Sequence, residues 1–225
     1  MRRRFSIAIC LAGLVVGMPV GMPVAMARAE ILDRIAVSVG NRVITETDLD
    51  REIRITALLN NAKPDFSPAN KRQTAERMVD QTLVRNEMQE SRYLPPSAAD
   101  TEAALQEEKT RYGDDTAYRR ALAGYGVSED DLKARLAWQL MLVRFIDVRF
   151  RPGIQVTGEE IRKYFDEHMR AGLMQAHPGQ TPSVDAHRAG IEQTLIGQAA
   201  NEQVEQWLKE SRRRTHIQYH DEAFR

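Results

Sequence analysis

Cysteine is almost missing. Of 225 residues only Cys10 is one, and it lies in an N-terminal stretch that reads as a removable leader. Without that stretch no disulfide framework, thiolate nucleophile or cysteine zinc site is available, and an oxidising compartment poses no thiol hazard. Excess positive charge is missing too. Taking four leader arginines from 32 basic residues leaves 28 against 32 acidic ones, a formal charge near −4. No basic face is implied, so nucleic acid is not expected as a partner. Beyond the leader no run is apolar enough to span a bilayer. G-x-S-x-G, P-loop, G-x-G-x-x-G and H-E-x-x-H patterns are all absent from the sequence, which removes the commonest signatures of enzyme sites.

What is present starts with the leader. Arg2, Arg3 and Arg4 precede an apolar run from Phe5 to about Met26, and A-x-A sites end at Ala27 or Ala29. Residues 1–29 are therefore expected to be a secretory signal peptide, with an uncleaved anchor as the alternative. The tandem GMPVGMPV at 17–24 suits a cleaved segment better than a stable helix. Ile9, before Cys10, is too large for a lipoprotein cleavage site. The expected product is a periplasmic chain with no stable membrane insertion after cleavage.

Residues 30–225 are read as a single domain. Ile35, Val37 and Val39 alternate with small or polar residues, Gly40-Asn41 marks a turn, and Val43-Ile44 resumes the apolar character: a hairpin. Thr47 is expected to cap a helix that opens on Asp48. Further helices are expected from Ser67 to about Arg92, Ser97 to Tyr112, Thr116 to Ala123 and Ser128 to Phe150. The last of these places Leu132, Leu136, Leu140 and Val143 on one side and is expected at the core centre. Thr157 and Glu160 form a capping box ahead of Ile161, Tyr164 and Phe165. Residues 171–184 read as a linker, and residues 185–225 as a long helix to Arg214 followed by a strand over His216–Tyr219. A two-stranded hairpin is marginal alone, so this strand is expected to join it. The expected fold is mainly α: six or seven helices with a small sheet uniting the chain ends.

In that order the segments resemble a known family. DRIAVSVGNRVITETDLDREI resembles the opening of SurA-type periplasmic chaperones. ERMVDQTLVRNEMQESRYLPPSAADTEAALQEEK, GYGVSEDDLKARLAWQLMLVRFI and VTGEEIRKYFDEH continue the likeness, and IEQTLIGQAANEQVEQWLKESRRRTHIQY is similar to the closing helix and strand. The resemblance implies an ATP-independent chaperone that holds unfolded or outer-membrane-bound polypeptides. It departs at one place. In that family the helix matching VTGEEIRKYFDEH leads into a parvulin prolyl isomerase domain, on the order of 90–100 residues. Here fewer than 20 residues separate His168 from the last helix. The reading is a chaperone core without the isomerase.

Candidate chemistry is correspondingly thin. His168, His177, His187, His216 and His220 are read as solvated loop and terminal residues. His216 and His220 would lie about 13 Å apart on a strand, too far to share one ion. The acidic pairs Glu107-Glu108, Asp114-Asp115, Asp130-Asp131 and Glu159-Glu160 mostly fall at helix starts, where capping accounts for them. No catalytic residue, metal or cofactor is expected. Adaptable apolar side chains remain: Met169, Leu173 and Met174 beside the linker, and Trp138 and Met141 in the apolar helix, are the candidate client contacts. Met78, Met88, Phe145 and Trp207 are read as core. Three functional classes stay open at this point: a holdase for extended clients, a non-catalytic interaction or dimerisation subunit for one exported partner, and an isomerase relative supplied with its catalytic domain by another chain. The short connector also allows the last helix to swap into a second copy, giving a homodimer.

Overall fold

A computed structural model describes residues 33–91, 93–179 and 181–225; the leader and its cleavage at Ala27 or Ala29 lie outside them. Strands β1 (Ile35–Val39) and β2 (Arg42–Thr45) form the hairpin. Gly40 takes φ +58 at the first turn position, a left-handed conformation that glycine adopts without a Cβ penalty. The expected alternation breaks at one end. The register shifts between Ile35 and Val37, so Ala36 and Val37 are both fully buried while Ile35 is 41% exposed. The irregularity rotates Ile35 away from the face that periodicity assigned to it.

Helix α1 (Glu46–Leu59) starts earlier than its acids suggested. Thr45, not Thr47, is the cap: its hydroxyl accepts from the Asp48 N–H at 3.2 Å, and the Asp48 carboxylate accepts from the Thr45 N–H at 3.1 Å. The strand thus passes into the helix without a loop. Helices α2 (Pro68–Glu90), α3 (Ala98–Thr110), α4 (Asp115–Tyr125) and α5 (Glu129–Arg149) follow, α2 to α5 capped by Ser67, Ser97, Asp114 and Ser128. Then come α6 (Gly158–His168), α7 (Arg170–Ala176), α8 (Val184–Arg214) and strand β3 (Ile217–Tyr219). The eight helices and the antiparallel sheet, in order β2-β1-β3, make the described chain mainly helical with a small sheet that joins its two ends.

Four apolar clusters hold these elements. The first sits under the sheet, where Val37, Val39, Ile44 and Leu49 meet Ala75, Val79 and Leu83 of α2, with Ala223 and Phe224 of a terminal 3-10 turn closing it. The second joins α1, α3, α4 and the start of α5 through Leu105, Tyr118, Leu122, Leu132 and Leu136. In the third, Phe145 meets the rings of Tyr93, Phe150 and Trp207 edge-on at 5.4–5.6 Å. The fourth gathers Ile161, Phe165 and Ile191 between α6 and α8.

Helix α5 is therefore not buried along one stripe. Leu132 and Leu136 face α3 and α4, whereas Trp138 and Phe145 face α2 and α8, about 200° round the helix at ~100° per residue. Val143, expected in the core, and Val148 are each 58% exposed. Partners change along the helix, and the buried face changes with them. The expected linker is also partly structured. Its first half is α7, a short helix with no side-chain cap, which Leu173 anchors to the fourth cluster; a tertiary contact stabilises what propensity around Gly172 does not.

The last turn of α8 is fastened to α2. Arg212 donates from Nε to Asp80 Oδ1 at 2.6 Å, from Nη1 to Glu76 Oε2 at 2.7 Å, and from Nη2 to the Glu76 carbonyl at 2.9 Å. Burial alone would raise the Glu76 carboxyl, but Arg212 outweighs it and holds the group below its ordinary value of 4.5; the hydrogen bonds Arg212 donates, to Asp80 first and then to Glu76, raise its guanidinium. Beside them, burial first and Glu76 second push Tyr219 of β3 up to about 12.

Replacing Arg212 with Met is expected to cost about 1–2 kcal/mol in urea unfolding, the lower range for charged hydrogen bonds at a partly exposed site. The sign with pH follows from a depressed carboxyl. Its contribution is complete above the unfolded value and is lost as pH falls through the lower, folded value. The wild-type chain should lose stability below about pH 4.5 more steeply than Arg212→Met; parallel pH profiles would refute the clamp.

Candidate functional site

Helices α2 and α5 present matching stripes to one another. On α2 these are Met78, Gln81, Thr82, Arg85, Met88 and Gln89; on α5 they are Asp131, Ala134, Arg135, Trp138 and Met141. Both sets recur at three and four residues, so each forms one helical face. Neighbouring faces of both helices are packed in the core clusters, through Val79, Leu83 and Val84 on α2 and Leu132, Leu136 and Phe145 on α5. Small Ala134 and Ala137 on the α5 side leave a furrow rather than a closed seam. Arg42 of β2 and Asp48, Arg51 and Glu52 of α1 border it.

The furrow is a chain of shallow cavities that share walls. One of about 350 Å³ lies among Arg85, Met88, Tyr93, Trp138 and Met141. One of about 480 Å³ lies among Arg42, Val43, Ile44, Met78, Thr82 and Arg85. A third, of about 230 Å³, opens toward α1, and a fourth, of about 270 Å³, toward Val204 and Leu208 of α8. Trp138 lies at the floor, 5% exposed, with the Arg85 guanidinium carbon 4.4 Å from its ring centre as a cation–π roof. The lining mixes methionine, aromatic and guanidinium groups, which suits varied, non-covalent contact with a chain.

Its charges are unevenly matched. Arg51 lies 2.9 Å from Asp48 and 3.3 Å from Asp131, and Arg135 lies 3.4 Å from Glu52. Arg42 donates to the neutral amide oxygen of Gln89. Among the described residues Arg85 has no ion pair. Burial in the furrow, and next the Arg42 charge, lower its guanidinium, while Glu52 opposes them.

The structure separates the residues expected to touch clients. Trp138 and Met141 line the furrow. Met169 and Leu173 are half-buried against Ile161, Phe165 and Ile191 in the α6–α8 cluster, and Met174 is 55% exposed beside them. Trp138 and the Met169–Leu173 pair belong to different clusters, and none of Met169, Leu173 and Met174 lines the furrow. Arg42, Gln81, Arg85 and Tyr93 escaped the sequence reading; Met88, 4% exposed in the third cluster, and Met78, packed against the first, are core residues as expected and also border the furrow. The signal was available in the spacing of residues 78, 81, 85 and 88, but a mixed Met/Gln/Arg face resembles an ordinary solvated one. The histidines are dispersed: His220 Nε2 lies 3.1 Å from the Ser38 hydroxyl, His187 stacks on Phe165 and His168 lies against Tyr164. Among the described residues no group of three or more His, Cys, Asp or Glu side chains is placed to hold a metal ion, and no helix is long and apolar enough to cross a membrane. No family model and no curated protein matches the chain.

Packing distinguishes the residues beside the former linker. Leu173→Ser should lower unfolding stability by about 1–2 kcal/mol through lost apolar burial. Met174→Ser should change it by less than about 0.5 kcal/mol, the usual surface range. Paired urea titrations check both, and equal costs would contradict the α7 anchoring.

Proposed function

We propose that the chain is an ATP-independent periplasmic holdase of SurA type, binding unfolded or outer-membrane-bound polypeptides without prolyl isomerase activity. The observation that carries this reading is the α2–α5 furrow. It is long, open and lined by Met78, Met88, Tyr93, Trp138 and Met141, with long arginine side chains at its rim. Flexible thioethers and aromatic faces accept many apolar side chains at modest cost, the property an unselective binder of extended chains needs. The ordered resemblance of the segments supports the same class, and the leader supports export. Between α6 and α8, where the resembled family inserts its isomerase, the described residues form one short helix, α7. Binding without a chemical step, by apolar contact, is what such a chain would do.

The test dilutes an unfolded outer-membrane β-barrel protein out of urea and follows aggregation by light scattering, with an unrelated helical protein as control. Dose-dependent suppression near stoichiometric ratios is expected. A Met78→Gln/Met141→Gln variant that melts like wild type should need roughly threefold more protein for the same effect, since each change removes part of a buried methionine contact. A prolyl peptide assay should show no acceleration. Absence of suppression beyond the control would overturn the holdase reading in favour of a subunit specific for one exported partner.

A further inference from the structure

Four guanidiniums border the three cavities that meet at Arg85, and only two are neutralised. Arg51 is held by Asp48 and Asp131, and Arg135 by Glu52, whereas among the described residues Arg85 and Arg42 have no carboxylate within ion-pair distance. Arg85 also has a fixed posture. Its guanidinium lies over the Trp138 ring at 4.4 Å, and a stacked guanidinium keeps the N–H groups of its edge free for a planar acceptor. Its position matters as much. Arg85 lines three of the cavities, so it stands at their junction rather than at an end. Apolar groups continue on both sides: Met88, Tyr93 and Met141 in one direction, Val43, Ile44 and Met78 in the other.

We propose that Arg85, with Arg42, forms a subsite for the side-chain carboxylate of an internal Asp or Glu in an extended client, with apolar side chains two residues before and after it. The proposal rests on the holdase reading and narrows its substrate class. In an extended chain residues i−2, i and i+2 point to the same side, about 6.6 Å apart, so one face carries apolar, acidic and apolar groups in the order the furrow presents. The junction position favours an internal acid over a chain terminus, because the client backbone can continue both ways from Arg85. The selected pattern is apolar-x-acid-x-apolar, and the carboxylate sets the register while methionine and aromatic contacts accept variety on either side.

Fluorescence anisotropy tests this with three labelled nonapeptides. The first is acetylated and amidated, with Phe-Thr-Glu-Thr-Phe at its centre. The second replaces Glu by Gln, and the third is the Gln peptide with a free C-terminal carboxylate. The Glu peptide should bind at least about fivefold more tightly than its Gln twin at low ionic strength, a gap that closes as salt rises. Arg85→Gln should remove most of the gap and the Arg85→Gln/Arg42→Gln double variant all of it, with circular dichroism unchanged. Equal binding of the twins, or a gap that survives the double variant, overturns the subsite. Preference for the free C-terminus alone overturns the internal-acid assignment. If the twins bind alike while aggregation is still suppressed, the holdase reading stands and the subsite falls; if no peptide binds and aggregation is unaffected, both fall.

Discussion

The pairing of β1 on both edges is the constraint from which the rest of the structure follows. One five-residue strand receives β2 from its own hairpin and β3 from the far end of the chain. A hairpin alone is marginal in water, and a three-residue strand is weaker still. Each becomes stable only when the loop between them has folded. The Arg212 contacts with Glu76 and Asp80 act at the same place, since they bring the end of α8 onto α2 just before β3 begins. The terminal turn then sets Phe224 under the sheet, with Arg72 over both Phe224 and Tyr219. Closure of the ends and formation of the first cluster are one event.

That closure decides how α2 is used. Its Ala75, Val79 and Leu83 face is taken by the sheet, and Val84 and Met88 reach toward Trp138 and Phe145 of α5. The remaining face meets α5 across small alanines, and a furrow is left between them. Among the described residues no element fills it, because α3 and α4 are occupied on the opposite side of α5 by the Leu105–Tyr118–Leu132 cluster. The furrow is a by-product of two helices whose apolar faces are already packed in separate clusters. Its arginines are what a side chain on such a half-covered face looks like: long, with an apolar stem on the wall and a charged head near water.

The α6–α8 cluster is small by comparison. Ile161, Phe165 and Ile191 form its buried centre, and α7 covers part of it where a longer inserted domain would depart in the resembled family. Met169 and Leu173 serve this local packing, which explains why methionine-rich composition near a linker pointed to them while the furrow lay elsewhere.

Capping boxes at Ser97, Ser128 and Thr157, the proline at the start of α2 and the turn glycines set most helix boundaries from the sequence alone, because these signals act within a few residues. Class followed as well: mainly helical, with strands at the two ends. Tertiary structure decided what distance in the chain hides. The irregularity at Ala36 turned Ile35 outward, Thr45 took the cap from Thr47, and α5 exchanged its buried face midway so that Val143 reached solvent. Leu173 made a helix of an expected linker. The furrow, too, belongs to tertiary structure. Trp138 and Met141 were legible as adaptable apolar groups, but Arg85 gains meaning only from the indole beneath it and the carboxylates its neighbours have and it lacks. Local signals determine where elements begin and end; which face each one buries depends on partners that only the folded chain brings together.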